Sequence, residues 1–171
     1  MSALRQELWL IRHGETEWSA ARRHTGRTDI PLTPTDERQA AALSRSLTGR
    51  KFASVLCSPL RRARETCRLA GYGDVASMTD DLVKWDYGVY EGKTTQQIRL
   101  EQPGWSIWTS AVVNGESTEQ VGRRAQRVLQ RTLAANGDVV LFAHALFYAY
   151  SQRVGWAWHP MRDGCSCFVP P

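Results

Sequence analysis

The chain has 171 residues, 42% hydrophobic and 23% charged, a balance that excludes intrinsic disorder and predicts one domain over residues 1–171 with a sizeable core. No apolar run reaches the about 20 residues of a bilayer span, and "MSALRQELWLI" carries Arg5 and Glu7 where a secretory leader is apolar, so a soluble cytoplasmic protein without a membrane partner is expected. The formal charge of +5 attracts phosphates, but the arginines are dispersed and no aromatic-rich or helix-turn-helix pattern joins them, which argues against nucleic acid.

Residues 7–12 form the first short apolar run, followed directly by Arg12, His13 and Gly14 in "LWLIRHGETEW". In "LTPTDERQAAALSRSLTG", Thr33 and Pro34 suit the cap and first position of a helix that Gly49 ends. "FASVLC" (52–57) is a second strand-like run. The next helix is expected in "SPLRRARETCRLAG", with Ser58 as cap, Pro59 at its start, Leu60, Ala63, Cys67 and Ala70 on one face, and Gly71 at its end. The stretch "GWSIWTSAVVNG" (104–115) holds Trp105 and Trp108, whose expected role is core packing. In "GESTEQVGRRAQRVLQRTLAANG", Ser117 and Gln120 spell a capping box ahead of an apolar stripe of Val121, Ala125, Val128, Leu129 and Leu133. "DVVLFA" (138–143) is a third strand, and His144 follows it. Of the four cysteines, Cys165 and Cys167 are too closely spaced for a local disulfide or a zinc knuckle, so Cys57, Cys67, Cys165 and Cys167 are expected as reduced thiols.

Strands alternating with amphipathic helices predict the α/β class: a three-layer α/β/α sandwich around a mainly parallel sheet. Ligands in such folds sit beyond the carboxyl ends of the strands. His13 and His144 both lie at such ends, and the topology therefore turns them toward one crevice. The sequence carries no signature of oligomeric state.

The blocks "LIRHGETEW", "SPLRRARET", "GESTEQV" and "LFAH", in this order and spacing, resemble the histidine phosphatase superfamily, the phosphoglycerate-mutase-like proteins; "TGRTDIPLT" and "WDYGVYEGKT" are similar to its small phosphatases. The resemblance implies a phosphoglycerate-mutase-like fold and a metal-independent phosphomonoesterase acting on a small, anionic, phosphorylated metabolite through a phosphohistidine, with no cofactor and no metal. It makes His13 the nucleophile, Arg12 and Arg62 the groups that grip phosphate, and His144 a hydrogen-bond donor. Glu15, Thr25 and Gly26 fall at the pocket mouth, and Ala145 at its floor, where relatives usually have glycine. His24 and His159 match no motif position and read as surface residues.

The resemblance breaks at the general acid. Where small family phosphatases place a glutamate four residues before the glycine of the "YG…EG" block, "LVKWDYGVYEG" places Lys84. Loss of general acid–base catalysis is worth about 10²–10⁴-fold. A protonated lysine donates a proton but serves as base only when its pKa is strongly depressed, and Arg12 and Arg62 push it that way. Two readings follow. In one, a phosphomonoesterase uses Asp86 or Glu91 as acid, or needs none for activated esters. In the other, the pocket binds an anionic ligand or runs non-phosphatase chemistry, with Lys84 as acid, base or anion clamp. Asp36 also stands where relatives often have glycine, and the chain stops at "CSCFVPP", where relatives usually continue into another strand, so either the product is naturally short or an edge element has been lost.

Overall fold

The computed structural model describes residues 6–145, Tyr150, His159–Pro160 and Cys165–Phe168, the last two stretches by their backbone. Three apolar runs form the parallel centre of a six-stranded sheet: β1 (Leu8–Arg12), β2 (Ser54–Cys57) and β4 (Val139–Ala143). The short β3 (Ser77–Met78) extends the parallel part, while β5 (His159–Pro160) and β6 (Cys165–Phe168) add an antiparallel edge, giving the order β3-β2-β4-β1-β6-β5. The sheet is mainly parallel, as expected, with the antiparallel pair β6 and β5 beside β1.

Central strands buried on both faces need apolar residues at every position, and "VVLFA" supplies them. Alternate residues then serve two cores. Leu8, Leu10, Leu56, Val139 and Leu141 pack with Val128 and Leu129 of α5 (Thr118–Leu133). Trp9, Ile11, Val55, Val140 and Phe142 pack with α2 (Pro34–Ser46) and α3 (Arg61–Leu69) on the other face. These two layers around the sheet are the predicted sandwich. A third cluster of Trp85, Tyr87, Tyr90, Ile98, Trp105 and Val121 stands apart, roofed by α4 (Thr95–Glu101). Trp105 is buried there with Trp108 against it, as expected.

The helix starts match in part. Thr33 caps α2 with Pro34 at its start, and Ser117 and Gln120 close a capping box on α5. The helix α2 ends at Ser46, before the predicted stop at Gly49, with Leu47 as its C-cap. Leu133 is 50% exposed, and Thr132 is buried in its place. Positions 121, 125, 128 and 132 keep the 3.6-residue period, whereas 133 is turned about 100° away from them. Ser58 is not a helix cap: α3 starts at Arg61, Leu60 occupies the N-cap without a side-chain bond, and Leu60 is half-buried. Cys57 and Cys67 are free, buried thiols, as expected; the side chains of Cys165 and Cys167 lie outside the described residues. Among the described residues, no helix is long and apolar enough to cross a membrane.

Candidate active site

The site starts from strand register. Arg12 pairs with Ala143 across β1 and β4, and the His13 amide donates to the Ala143 carbonyl at 3.1 Å. The next residues on the two strands, His13 and His144, therefore leave the sheet side by side, with ring centroids 4.9 Å apart. The Ser58 amide donates to the Phe142 carbonyl at 2.9 Å, which brings the end of β2 to the same place. That geometry explains why Ser58 does not cap α3: its hydroxyl lies 2.9 Å from His144 Nε2.

Both imidazoles are buried, and His13 Nδ1 donates to the Gly14 carbonyl at 2.6 Å. A carbonyl only accepts, so the proton sits on Nδ1 and the lone pair on Nε2. Burial, then Arg62, drives the His13 pKa down to about 3. Burial followed by the neighbouring His13 and cations drives that of His144 well below its ordinary value. Both rings are neutral at physiological pH. His144 Nδ1 is buried with no partner.

Arg62 is fully buried on the first turn of α3. Its Nη2 donates to Gly26 O at 2.8 Å and its Nη1 to Thr28 O at 3.1 Å, leaving Nε buried and unpartnered. Loop carbonyls thus hold one edge of the guanidinium, and Nε is left without a partner behind the lining of the cavity. The same loop is clamped from behind by Glu91, whose carboxylate accepts from the amides of Arg27 (2.6 Å) and Thr28 (2.9 Å) and from the Thr28 hydroxyl.

Arg12, His13, Thr25, Lys84 and Ala145 line one cavity of about 140 Å³, together with Ser19, Arg23, His24 and Tyr87. Lys84 makes no hydrogen bond or ion pair among the described residues; its Nζ lies 5.6 Å from the centre of the Tyr87 ring. Burial, reinforced by Arg12 and Arg62, lowers its pKa to about 7. The segment that carries it is fixed on both sides. Arg124 donates to the carbonyls of Asp81 and Val83, both at 2.9 Å, and closes a bidentate pair on Glu116. Trp85 Nε1 donates to Glu116 O at 2.7 Å, and Gly88 turns the chain with φ of 50° where a Cβ would run into the 113–115 backbone.

Two expectations, those for Gly26 and His24, need correction. Gly26 lines no part of the cavity; it is buried behind the wall, where a Cβ would collide with the Glu91 carboxylate and come within 2.8 Å of Trp85 O, and it serves Arg62 through its carbonyl. Glu15 is exposed at a neighbouring cleft of about 480 Å³ lined also by Thr35, Asp36 and Gln39, and this cleft shares Arg12, His13 and Ser19 with the cavity. His24 is no surface residue. Its Nε2 lies 3.1 Å from Thr95 Oγ1, and its ring packs on Tyr87 and Trp105 at centroid distances of 4.8 and 5.3 Å. A bridge between Arg23 and Thr94 draws it inward. Glu91, occupied with the loop, and Asp86, paired with Arg27 at 3.4 Å, both lie outside the cavity lining. The side chain of His159 lies outside the described residues. Ser19 and Tyr87 were not singled out by any motif; Ser19 is committed to a capping box with Thr16 on the four-residue α1 (Glu17–Ala20).

Residues 8–158 match the model of the histidine phosphatase superfamily, branch 1. The chain belongs to that family. It is 38% identical to an acid phosphatase of Mycobacterium tuberculosis, over 99% of this chain and 85% of that protein. It is 33% identical to the sedoheptulose 1,7-bisphosphatase of Saccharomyces cerevisiae, over 90% of this chain and 69% of that one. Among solved structures, that of the Mycobacterium tuberculosis open reading frame Rv3214 superposes with a TM-score of 0.79 at 41% identity, covering 86% of this chain and 79% of the other. A mycobacterial glucosyl-3-phosphoglycerate phosphatase superposes with a TM-score of 0.75 at 28% identity, covering 87% and 79%. In this histidine phosphatase the neighbouring imidazoles stand at the carboxyl ends of two adjacent parallel strands.

Proposed function

We propose that this chain is a phosphomonoesterase that transfers the phosphoryl group of a small phosphorylated metabolite to His13 Nε2 and then to water. The observation that carries the reading is the pairing of two neutral imidazoles, 4.9 Å apart, beside a cavity whose lining cations have no carboxylate among them. With Nδ1–H tied to Gly14 O, Nε2 holds the lone pair that attacks phosphorus. Arg12 and the Nε edge of Arg62 meet the charge on the equatorial oxygens. Ser58, donating to His144 Nε2, leaves Nδ1–H of His144 as a further donor to the oxyanion. These two orphaned buried donors, Arg62 Nε and His144 Nδ1, suit an anionic ligand that satisfies them.

The acid–base role falls to Lys84. Asp86 and Glu91 are engaged elsewhere, whereas Lys84 lines the cavity with a pKa near 7. Its ammonium donates a proton to the departing alkoxide, and the resulting amine accepts one from the attacking water. The relatives named as phosphatases support the hydrolytic class, and the mycobacterial glucosyl-3-phosphoglycerate phosphatase has also been solved with VO3.

The test is hydrolysis of p-nitrophenyl phosphate with capture of phosphohistidine by an alkaline denaturing quench, since the N–P bond is labile in acid. Wild type should turn over and label, and His13→Ala should lose both by at least about 10³-fold. Turnover that survives in His13→Ala overturns the reading. The competing reading, an oxyanion binder without turnover, is favoured if phosphate binds and no hydrolysis occurs.

A further inference from the structure

Only three of the 22 lysines and arginines in this chain are lysines: Lys51, Lys84 and Lys93. Lys93 is held by Glu101 at 2.9 Å, and Lys51 is exposed on the surface. Lys84 alone of the three lines the cavity, and it has no carboxylate and no hydrogen-bond partner among the described residues. A guanidinium at this place would be an anion clamp and nothing more, because it is never deprotonated and is a poor nucleophile. An amine pressed between other cations is different: crowding by positive charge and loss of water favour the neutral form, which attacks carbonyl carbon. Here Arg12 and Arg62 supply the crowding, and burial supplies the loss of water.

We propose that Lys84 captures phosphorylated aldehydes as imines, with the phosphate held by Arg12, Arg62 and His144 and the amine closing on the carbonyl carbon. The inference rests on the reading of the cavity as a phosphate site. The amine nitrogen attacks the aldehyde carbon to give a carbinolamine; the C–O bond then breaks, water leaves, and a C=N bond remains. Neither oxidant nor reductant takes part. The water carries away both amine protons, and the imine nitrogen becomes cationic beside the phosphate on taking up one proton from solvent. Unlike an alkyl phosphate, such a ligand occupies the phosphate site and the proton carrier together. A cavity of about 140 Å³ suits a chain of a few carbons.

With Lys84 near pH 7 in its titration and an exposed lysine near 10.4, the cavity amine has about a thousandfold more neutral form at pH 7. The experiment incubates wild type and His13→Ala, which cannot consume the probe, with glyceraldehyde 3-phosphate, reduces with borohydride, and maps the peptides by mass. Label on Lys84 should exceed that on Lys51 and Lys93 by at least about tenfold, disappear with excess inorganic phosphate, and be absent with unphosphorylated glyceraldehyde. Equal label on the three lysines, or Lys84 label that phosphate does not suppress, overturns the inference. The parent reading is scored on p-nitrophenyl phosphate in the same preparation. Hydrolysis without Lys84 label removes the imine and keeps the phosphatase; phosphate-sensitive label without hydrolysis does the reverse.

Discussion

At the scale of single residues, Lys84 carries a stability consequence as well as a chemical one. Its pKa is about 7 in the fold and near 10.4 in the unfolded chain, so between these values the unfolded chain binds the extra proton. Stability contributed by this group therefore rises from pH 7 to 10, and its destabilising effect is complete below pH 7. Lys84→Met, similar in length, should be more stable than wild type at pH 7 by on the order of 2 kcal/mol, with the gap closing toward pH 10. Thermal unfolding at pH 6, 8 and 10 checks this, and a pH-independent gap contradicts it. The same variant should lose most on alkyl phosphates, about 10²–10⁴-fold, and least on p-nitrophenyl phosphate, whose leaving group needs no proton. His13, Arg12, Lys84 and His144 were legible in the sequence because each sits in a motif at a strand end or at a fixed count from a glycine. His24 and Ser19 were not, because only a cross-chain bridge and a four-residue helix bring them inward.

At the scale of elements, the Lys84 segment is held by α5 through Arg124, which is mostly buried and reaches Glu116 and two carbonyls at once. Burial favours the protonated form of Glu116, but Arg124 and the Asp86 amide outweigh it and hold the carboxyl below its ordinary pKa. Arg124→Met takes the bidentate partner from that carboxylate and the donor from both carbonyls, and should destabilise by about 2–4 kcal/mol. Chemical denaturation measures it; a change under about 0.5 kcal/mol would place Arg124 among ordinary surface residues. Activity should fall together with order in residues 81–87, read as faster amide exchange there. Elements with long periodic patterns, α2, α3 and α5, were readable. The helices α1 and α4 are too short to show a period, although Thr94 and Gln97 spell a capping box that marks α4. Ser58 misled because a serine before a proline suits a helix start equally well, and only the neighbouring strand end decides where its hydroxyl goes.

At the scale of the molecule, two buried neutral histidines make the fold sensitive to acid. His13 titrates at about 3 in the fold and 6.5 when unfolded, and His144 is shifted in the same direction. Below pH 6.5 the unfolded chain takes up protons that the native state refuses, so stability drains away as pH falls toward 3. Melting temperatures should fall steeply from pH 6.5 to 4, and His13→Gln with His144→Gln should flatten that slope; an unchanged slope assigns acid lability to other groups. The sandwich and its parallel centre were legible because "VVLFA" and its two counterparts are unbroken apolar runs. The antiparallel edge was not: β5 has two residues, β6 reads "CSCF", and neither alternates clearly.

The two imidazoles owe their separation to the hydrogen-bonded ladder between β1 and β4. Interstrand spacing in any sheet is fixed at about 4.8 Å by peptide chemistry. His13, the proposed nucleophile, and its neighbour His144 are therefore set by a dimension that no surrounding loop can alter. Arg23, Thr25 and Tyr87, which line the cavity without belonging to either strand, are therefore free to differ while the pair of imidazoles stays put. Exchanging them with those of a relative should transfer substrate preference and leave the phosphohistidine step untouched.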